Sequence, residues 1–288
     1  MVILEKSIQK ILLMIQKIIH NNQKNGTLLV GPWIGEFGWE LFTWQGYIRS
    51  IAHEYENIII ASRAGNELLY EDFMSEYVSI VVPENALSDS WFCRGLPADF
   101  GDKLISNINF DVRIPAQSIG FLYYPNGNPA LSTEFLNQKF IKYKSDTLDK
   151  DFDILIHPRN KNLGNNRNWS KENWQKLVNL LVKTYTIGII GNHEAFQLDN
   201  AEDCRKISIR DTVSLMNRTK LVVGQSSGPL HLASLSGTPH LVWSEEANRN
   251  RYKKYWNPFN TPVYFHSEMG WNPTPEFIYN KIIENIAL

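Results

Sequence analysis

The segment Lys220–Trp243, KLVVGQSSGPLHLASLSGTPHLVW, leaves few folds open to this chain. It contains an apolar run at Leu221–Val223, a small polar turn over Gly224–Ser227, a helix over Pro229–Ser236 and a second apolar run at His240–Trp243. Short continuous apolar runs are the mark of strands buried on both faces, and a helix between them makes a β-α-β unit with parallel strands. Pro229 suits the first turn of that helix, where a missing N–H costs nothing, and Gly237 suits the position just past its end. The turn therefore brings Ser226, Ser227 and Gly228 to a helix start at the C-terminal end of a strand. Free backbone N–H groups and the helix dipole favour phosphate there, and open α/β sheets bind ligands at that edge. Ser and Gly also cap ordinary helices, so a plain cap and an anion site both fit these residues.

The rest of the chain repeats the alternation. Thr27–Val30 predicts a first strand that runs into GPWIGEFGWEL, where Gly31, Gly35 and Gly38 allow sharp turns or close approach. Glu36 and Glu40 sit at the start of a helix expected to reach about Ala52. Either compensates the helix dipole or, facing a cleft, acts as a general base. Strands follow at Ile58–Ala61 and Val78–Val82 with a helix over Ala64–Phe73 between them, and Phe121–Tyr124 reads as a further strand. PNGNP at Pro125–Pro129 is turn chemistry, and Lys139–Lys150 is polar and charged. These features place a boundary near residue 148 and divide the chain into residues 1–25, 26–148 and 149–288.

After the boundary, a strand at Asp153–Ile156 enters HPRNKNLGNNRNW, a loop with Arg159, Lys161 and Arg167 at a strand's C-terminal end. Ser170 is the expected cap of the next helix, with Trp169 and Trp174 spaced as a hydrophobic staple. Such cations solvate ordinary loops, but this loop falls at the same sheet edge as the Ser226–Gly228 turn. A strand at Thr186–Ile190 leads to Glu194, expected at a helix start where a carboxylate can accept from a ribose. Asp211 is expected to cap a short helix to Arg218, and Thr274–Ala287 is a helix able to pack back across both halves. The architecture predicted is α/β, with two Rossmann-like domains facing a cleft.

Hydrophobic residues make up 43% and charged residues 20% of the sequence, as in an ordinary globular protein. A net charge of −1 lacks the basic excess of a nucleic-acid binder. Cys93 and Cys204 have no metal spacing and suit a reducing, cytoplasmic compartment. Residues 2–19 carry an apolar stripe at helical spacing accompanied by Lys6, Lys10 and Lys17. That stretch fits a helix packed on its own protein, the expectation here, or one lying at the inner face of a membrane.

SSGPLHLASLSGTP resembles the D-T-G-P/L-x-H-L-A-x-x-x-G-x-P signature of bacterial lipopolysaccharide heptosyltransferases and their family-nine relatives. The Ile-His-Pro-Arg strand end, the basic loop, Trp169 and Trp174 resemble the segment that precedes it in that family. The likeness runs over about residues 151–243, with an outline match in the first half. It implies the GT-B architecture and an inverting sugar transfer from a nucleotide-sugar donor to a glycan or glycolipid acceptor. Neither a cofactor nor a bound metal is implied. Ser227, Gly228 and His231 match the motif's Thr, Gly and His at the donor; Lys161 or Arg167 matches its phosphate contact; Glu194 matches an acidic residue near the ribose. Glu40, and after it Glu36, stands where the family has its catalytic Asp. Ser226 replaces the motif's leading Asp, and the base is a Glu. His231, in a first helical turn, is expected to be a neutral hydrogen-bonding group because the dipole disfavours its cation. The competing readings are a nucleotide-sugar epimerase of similar architecture and a non-catalytic nucleotide-sugar binder or scaffold.

Overall fold

A computed structural model describes residues 26–84, 86–117 and 138–286. The N-terminal stripe, the Phe121–Tyr124 strand and the PNGNP turn lie outside the described residues. In the first half, β1 (Thr27–Trp33) leads into a helical run, α1, made of an α turn at Phe37–Trp39, a π turn at Glu40–Trp44 and an α-helix at Gln45–Ile51. β2 (Asn57–Arg63), β3 (Glu76–Ile80), a β4–β5 hairpin (Leu87–Asp89 and Phe92–Arg94), α2 (Phe100–Leu104) and β6 (Val112–Ile114) follow. The sheet order is β3-β2-β1-β6, all parallel, with the hairpin standing apart as an antiparallel pair.

The expected helix over Ala64–Phe73 is only a 3₁₀ turn at Glu67–Leu69. Leu68, Leu69 and Tyr70 are all buried, and three consecutive core residues suit a tight plug better than a one-sided helix.

The second half runs β7 (Phe152–His157), α3 (Lys171–Leu181), β8 (Ile187–Ile189), β9 (Glu202–Asp203), α4 (Ile209–Asn217), β10 (Thr219–Gln225), α5 (Gly228–Ser236), β11 (His240–Trp243), β12 (Val263–His266) and α6 (Pro275–Ile286). Its strands order as β12-β11-β10-β7-β8-β9, all parallel. Numbered within this half, that is the 3-2-1-4-5-6 order of dinucleotide folds, and the direction of winding reverses between β7 and β10. The first sheet follows the same scheme as far as its fourth strand. Two Rossmann-like lobes are therefore present, as the alternation predicts.

Three expectations about caps and helices change. Ser208, one turn earlier than Asp211, caps α4 by accepting the Asp211 N–H at 3.0 Å. Glu194 lies in a turn, with no helix behind it. α6 does not bridge the halves: Ile278 and Ile282 join Leu177 and Val178 in the core of the second sheet alone. Ser170 caps α3 as expected, accepting the Asn173 N–H at 3.1 Å.

The lobes meet through a shared apolar core. Leu41, Phe42 and Trp44 of α1 cluster with Leu230 and Ala233 of α5 and with Tyr252 and Trp256. Phe42 stacks on Trp256 at 5.2 Å between centroids, and burial of several rings at this seam fixes how the lobes face each other. Glycine permits the closest approach: a Cβ on Gly228 would meet Phe37 Cδ1 at 2.7 Å.

Candidate functional site

The C-terminal ends of β7 and β10 lie side by side, Val223 pairing with Ile156 and Gly224 with His157. Past these ends the winding reversal opens a cleft of about 340 Å³, closed on its far side by the Gly35–Trp39 turn of the first lobe. This size suits a small-molecule site. Ser226, Ser227, Gly228 and His231 line one wall, and Arg159, Lys161 and Arg167 another, so the two sequence signals share one cavity.

Each of these residues has a distinct task. Ser227 occupies the cap position of α5, yet its hydroxyl does not cap; its Oγ lies 2.9 Å from His157 Nδ1. The Ser227 side chain thus leaves the Gly228 and Leu230 N–H groups uncapped, Pro229 having none, and open amides at a helix start can receive an anion. Ser226 is buried and its hydroxyl accepts from Tyr252 Oη at 3.2 Å, which also leaves Ser227 N–H donating to Tyr252 Oη at 3.2 Å. Burial holds the His157 imidazole down at about 3, and Lys161 and Arg159 push the same way, so His157 is a neutral partner to Ser227.

Arg159 is not a free phosphate clamp. Its guanidinium donates to the Leu163 carbonyl at 2.9 Å, to the Gly164 carbonyl at 3.1 Å and to Asn168 Oδ1. Asn168 in turn accepts the Lys161 N–H at 3.2 Å and donates to the Lys161 carbonyl at 2.8 Å. Arg159 therefore folds the basic loop from inside, while Lys161 and Arg167 present their charges. The loop rests on Trp169, Trp174 and Trp243, whose centroids are 5.1 to 5.3 Å apart. Burial lowers the pKa of both Arg159, to about 10, and Lys161. Positive charge is crowded here, and an incoming anion would relieve it.

Glu36 is the one carboxylate lining the main cleft among the described residues. Its backbone N–H donates to the Ser90 carbonyl of the β4–β5 hairpin at 2.8 Å. Arg63 braces the same loop, donating to the Ile34 carbonyl at 2.5 Å and Ser88 Oγ at 2.6 Å. Lys161 Nζ stands 4.0 Å from Glu36 Oε1 across the cleft.

Glu40 does not stand at the cleft. It is fully buried beneath it, four residues further along the helical run, and both its oxygens are engaged by Ser62, Asn66 and Tyr70. Glu194 is also displaced: it accepts from Asn192 Nδ2 at 3.1 Å and lines a neighbouring cavity of about 220 Å³. His231 is buried at the main cleft, stacked on Tyr252 at 4.4 Å, and its Nδ1 has no partner among the described residues. Its pKa lies well below the ordinary value because of burial first and Arg251 and His240 after it. That direction favours the neutral imidazole, with burial, Arg251 and His240 as its causes in place of the dipole argued from the sequence.

Sequence reasoning missed three cations of the cleft: Arg63, Lys206 and Arg251. Arg63 sits at the C-terminal end of β2, the criterion that exposed the basic loop, and that signal was available. Lys206 comes from a turn and Arg251 from the first position of a short π-helical turn, Arg251–Tyr255, and neither has a local sequence pattern. With Arg159, Lys161 and Arg167, six cations face one carboxylate in the lining. The acidic series Asp149, Asp151 and Asp153 lies at the other end of β7, paired with Arg218 and Lys220. No helix among the described residues is long and apolar enough to cross a membrane.

No protein-family model and no curated protein matches this sequence. Solved structures do match in fold. A family-nine glycosyltransferase from Veillonella parvula superposes with a TM-score of 0.60 at 11% identity, over 91% of this chain and 97% of that one. ADP-heptose lipopolysaccharide heptosyltransferase II of E. coli gives 0.58 at 12% identity, over 91% and 98%. E. coli heptosyltransferase WaaC, solved with ADP, gives 0.53 at 13% identity, over 90% and 99%. The family that the sequence motifs resemble is thus also one whose GT-B fold this chain shares over about nine-tenths of its length.

Proposed function

We propose that this chain is an inverting glycosyltransferase. In this reading it moves a sugar from a nucleotide-diphosphate donor to a hydroxyl of a glycan or glycolipid, without a bound metal or cofactor. One observation carries the reading: a single cleft sets an uncapped helix start and a bank of cations opposite one carboxylate. The diphosphate would lie against the first turn of α5, with Lys161 and Arg167 on its oxygens, since charge-assisted bonds to phosphate are the stronger kind. Ser227, held by His157, borders that place.

Glu36 would take the acceptor's proton as the acceptor oxygen bonds to the anomeric carbon. The bond from that carbon to the diphosphate oxygen breaks, and the electron pair leaves with the nucleoside diphosphate. A single displacement inverts the anomeric centre. Fixed N–H groups and cations lower the barrier by meeting the charge that grows on the leaving group. The diphosphate also competes for Lys161, which releases Glu36 to act as base.

A thermal-shift screen of ADP-, UDP-, GDP- and CMP-sugars tests donor binding, since a ligand that binds only the folded state raises its stability. ADP-sugars come first, because a neighbouring structure holds ADP. With a donor in hand, Glu36→Gln is expected to lower transfer by about 10²–10⁴-fold while donor binding stays intact. Unchanged transfer by Glu36→Gln would remove Glu36 as the base. Absence of a shift with every donor would remove the activity.

A further inference from the structure

Glu40 is a charged group sealed under the cleft, and one of its three partners reaches the cleft. Ser62 Oγ, Tyr70 Oη and Asn66 Nδ2 all donate to its carboxylate, the last two at 2.6 Å. Asn66 also lines the main cleft. Its backbone N–H donates to the Arg63 carbonyl at 3.2 Å, and its carbonyl accepts from Leu69 N–H at 3.0 Å. With one Nδ2 N–H bound to Glu40, Oδ1 is the side-chain atom of Asn66 that has no partner among the described residues. A primary amide can show either its oxygen or its NH₂ to a ligand, but an ionised carboxylate accepts only. Glu40 therefore selects the orientation with the NH₂ turned inward.

An acceptor on this wall cannot favour a phosphate, which offers acceptor oxygens too. It is matched to a neutral donor, and in a cleft for nucleotide sugars that donor is a hydroxyl. We propose that Glu40 is a positioning residue that, through Asn66, fixes a hydrogen-bond acceptor for a carbohydrate hydroxyl of the donor. This rests on the functional reading above. The hydroxyl belongs either to the ribose or to the transferred sugar, and the two share this chemistry.

The groups around Glu40 leave it alone to change charge near neutrality. Arg63 supplies the nearby positive charge, and Tyr70, Tyr77 and Tyr143 face it from the other elements. Burial pushes all three phenols up, Tyr143 to about 12, so they stay neutral. Burial likewise pushes the Glu40 carboxyl up to about 7. Once protonated, it gains a donor of its own and lets the Asn66 amide turn its NH₂ outward.

The test is calorimetric binding of ADP, UDP and GDP and of their glucose conjugates, across pH, to wild type, Glu40→Gln and Asn66→Ala. Melting temperatures establish that each variant is folded. Asn66→Ala is expected to weaken binding by about three- to tenfold above pH 7, the worth of one hydrogen bond. Glutamine can donate to Asn66 Oδ1, so Glu40→Gln is expected to bind at the weak, low-pH level of wild type at every pH. Weakening with the bare nucleotide places the hydroxyl on ribose; weakening with the conjugate alone places it on the transferred sugar. Should Glu40→Gln not fold, the same pH step present in wild type and absent in Asn66→Ala carries the proposal. Folded variants that bind like wild type at all pH overturn it, as does a loss in Glu40→Gln that Asn66→Ala does not share. If wild type binds no nucleoside diphosphate or conjugate, the functional reading falls, and this inference with it.

Discussion

Replacing Glu40 by Gln should change how stability depends on pH, and the structure sets the size of the change. The side chain is fully buried, and burial moves its pKa from 4.5 to about 7 against the opposing pull of Ser62, Tyr70, Arg63 and Asn66. The folded chain keeps this proton up to about pH 7, whereas the unfolded chain releases it near 4.5. Between those values the folded state binds more protons, so stability falls as pH rises through the window and levels off above it. The difference corresponds to about 3 kcal/mol. Gln does not titrate, and its curve lacks this fall. At low pH the protonated carboxyl and the Gln amide each set one carbonyl oxygen against the three donors, so the comparison rests on slopes. Urea unfolding of both proteins at several values from about pH 4.5 to about pH 8.5 measures them. The stability of wild type minus that of Glu40→Gln should fall by about 3 kcal/mol toward high pH. Parallel curves would refute the reasoning, because Glu40 would then titrate alike in the folded and unfolded chains.

Two further substitutions examine how the cleft is built. Gly228→Ala places a Cβ 2.7 Å from Phe37 Cδ1 and 3.5 Å from Gly38 N, and should cost about 1–3 kcal/mol in denaturant unfolding while weakening nucleotide binding. Unchanged stability would mean that the lobes do not interlock at α5. Arg159→Ala removes the donors that hold the Leu163 and Gly164 carbonyls and Asn168, and should speed amide hydrogen exchange in residues 160–168 and lower stability by about 1–3 kcal/mol. Arg159→Lys should not restore protection, since an ammonium lacks the planar fork. Normal exchange in either variant would return Arg159 to the role of a direct ligand contact.

Much of the second lobe was legible because its signals are local. The strand at His240–Trp243, the Ser170 cap and the Gly237 stop, at φ +74°, are set by a few neighbouring residues. The meeting of the basic loop with the Ser226–Gly228 turn was legible too, as both stand at the C-terminal ends of parallel strands. What the sequence hid was set by tertiary packing. Leu68, Leu69, Tyr70 and Phe73 have a helix-like density of apolar residues, yet the chain buries the first three in one tight turn. Glu36 and Glu40 look equivalent beside a glycine-rich turn. Only the start of the helical run separates them, turning Glu40 onto Ser62 of β2 and leaving Glu36 in the cleft. Arg159 reads as a surface cation but lies inside its loop, and no spacing rule distinguishes the two. Lys206 and Arg251 reach the cleft from segments far apart in the chain.

In the proposed mechanism Lys161 and Arg167 grip a diphosphate at the start of α5. Calorimetric titration of the strongest binder among ADP, UDP and GDP into wild type, Lys161→Ala and Arg167→Ala tests this most directly. Each substitution should weaken binding about tenfold or more, as expected for loss of a charge-assisted contact, with the losses shrinking as salt is raised. Wild-type affinity in both variants would contradict the account and place any diphosphate elsewhere on the protein.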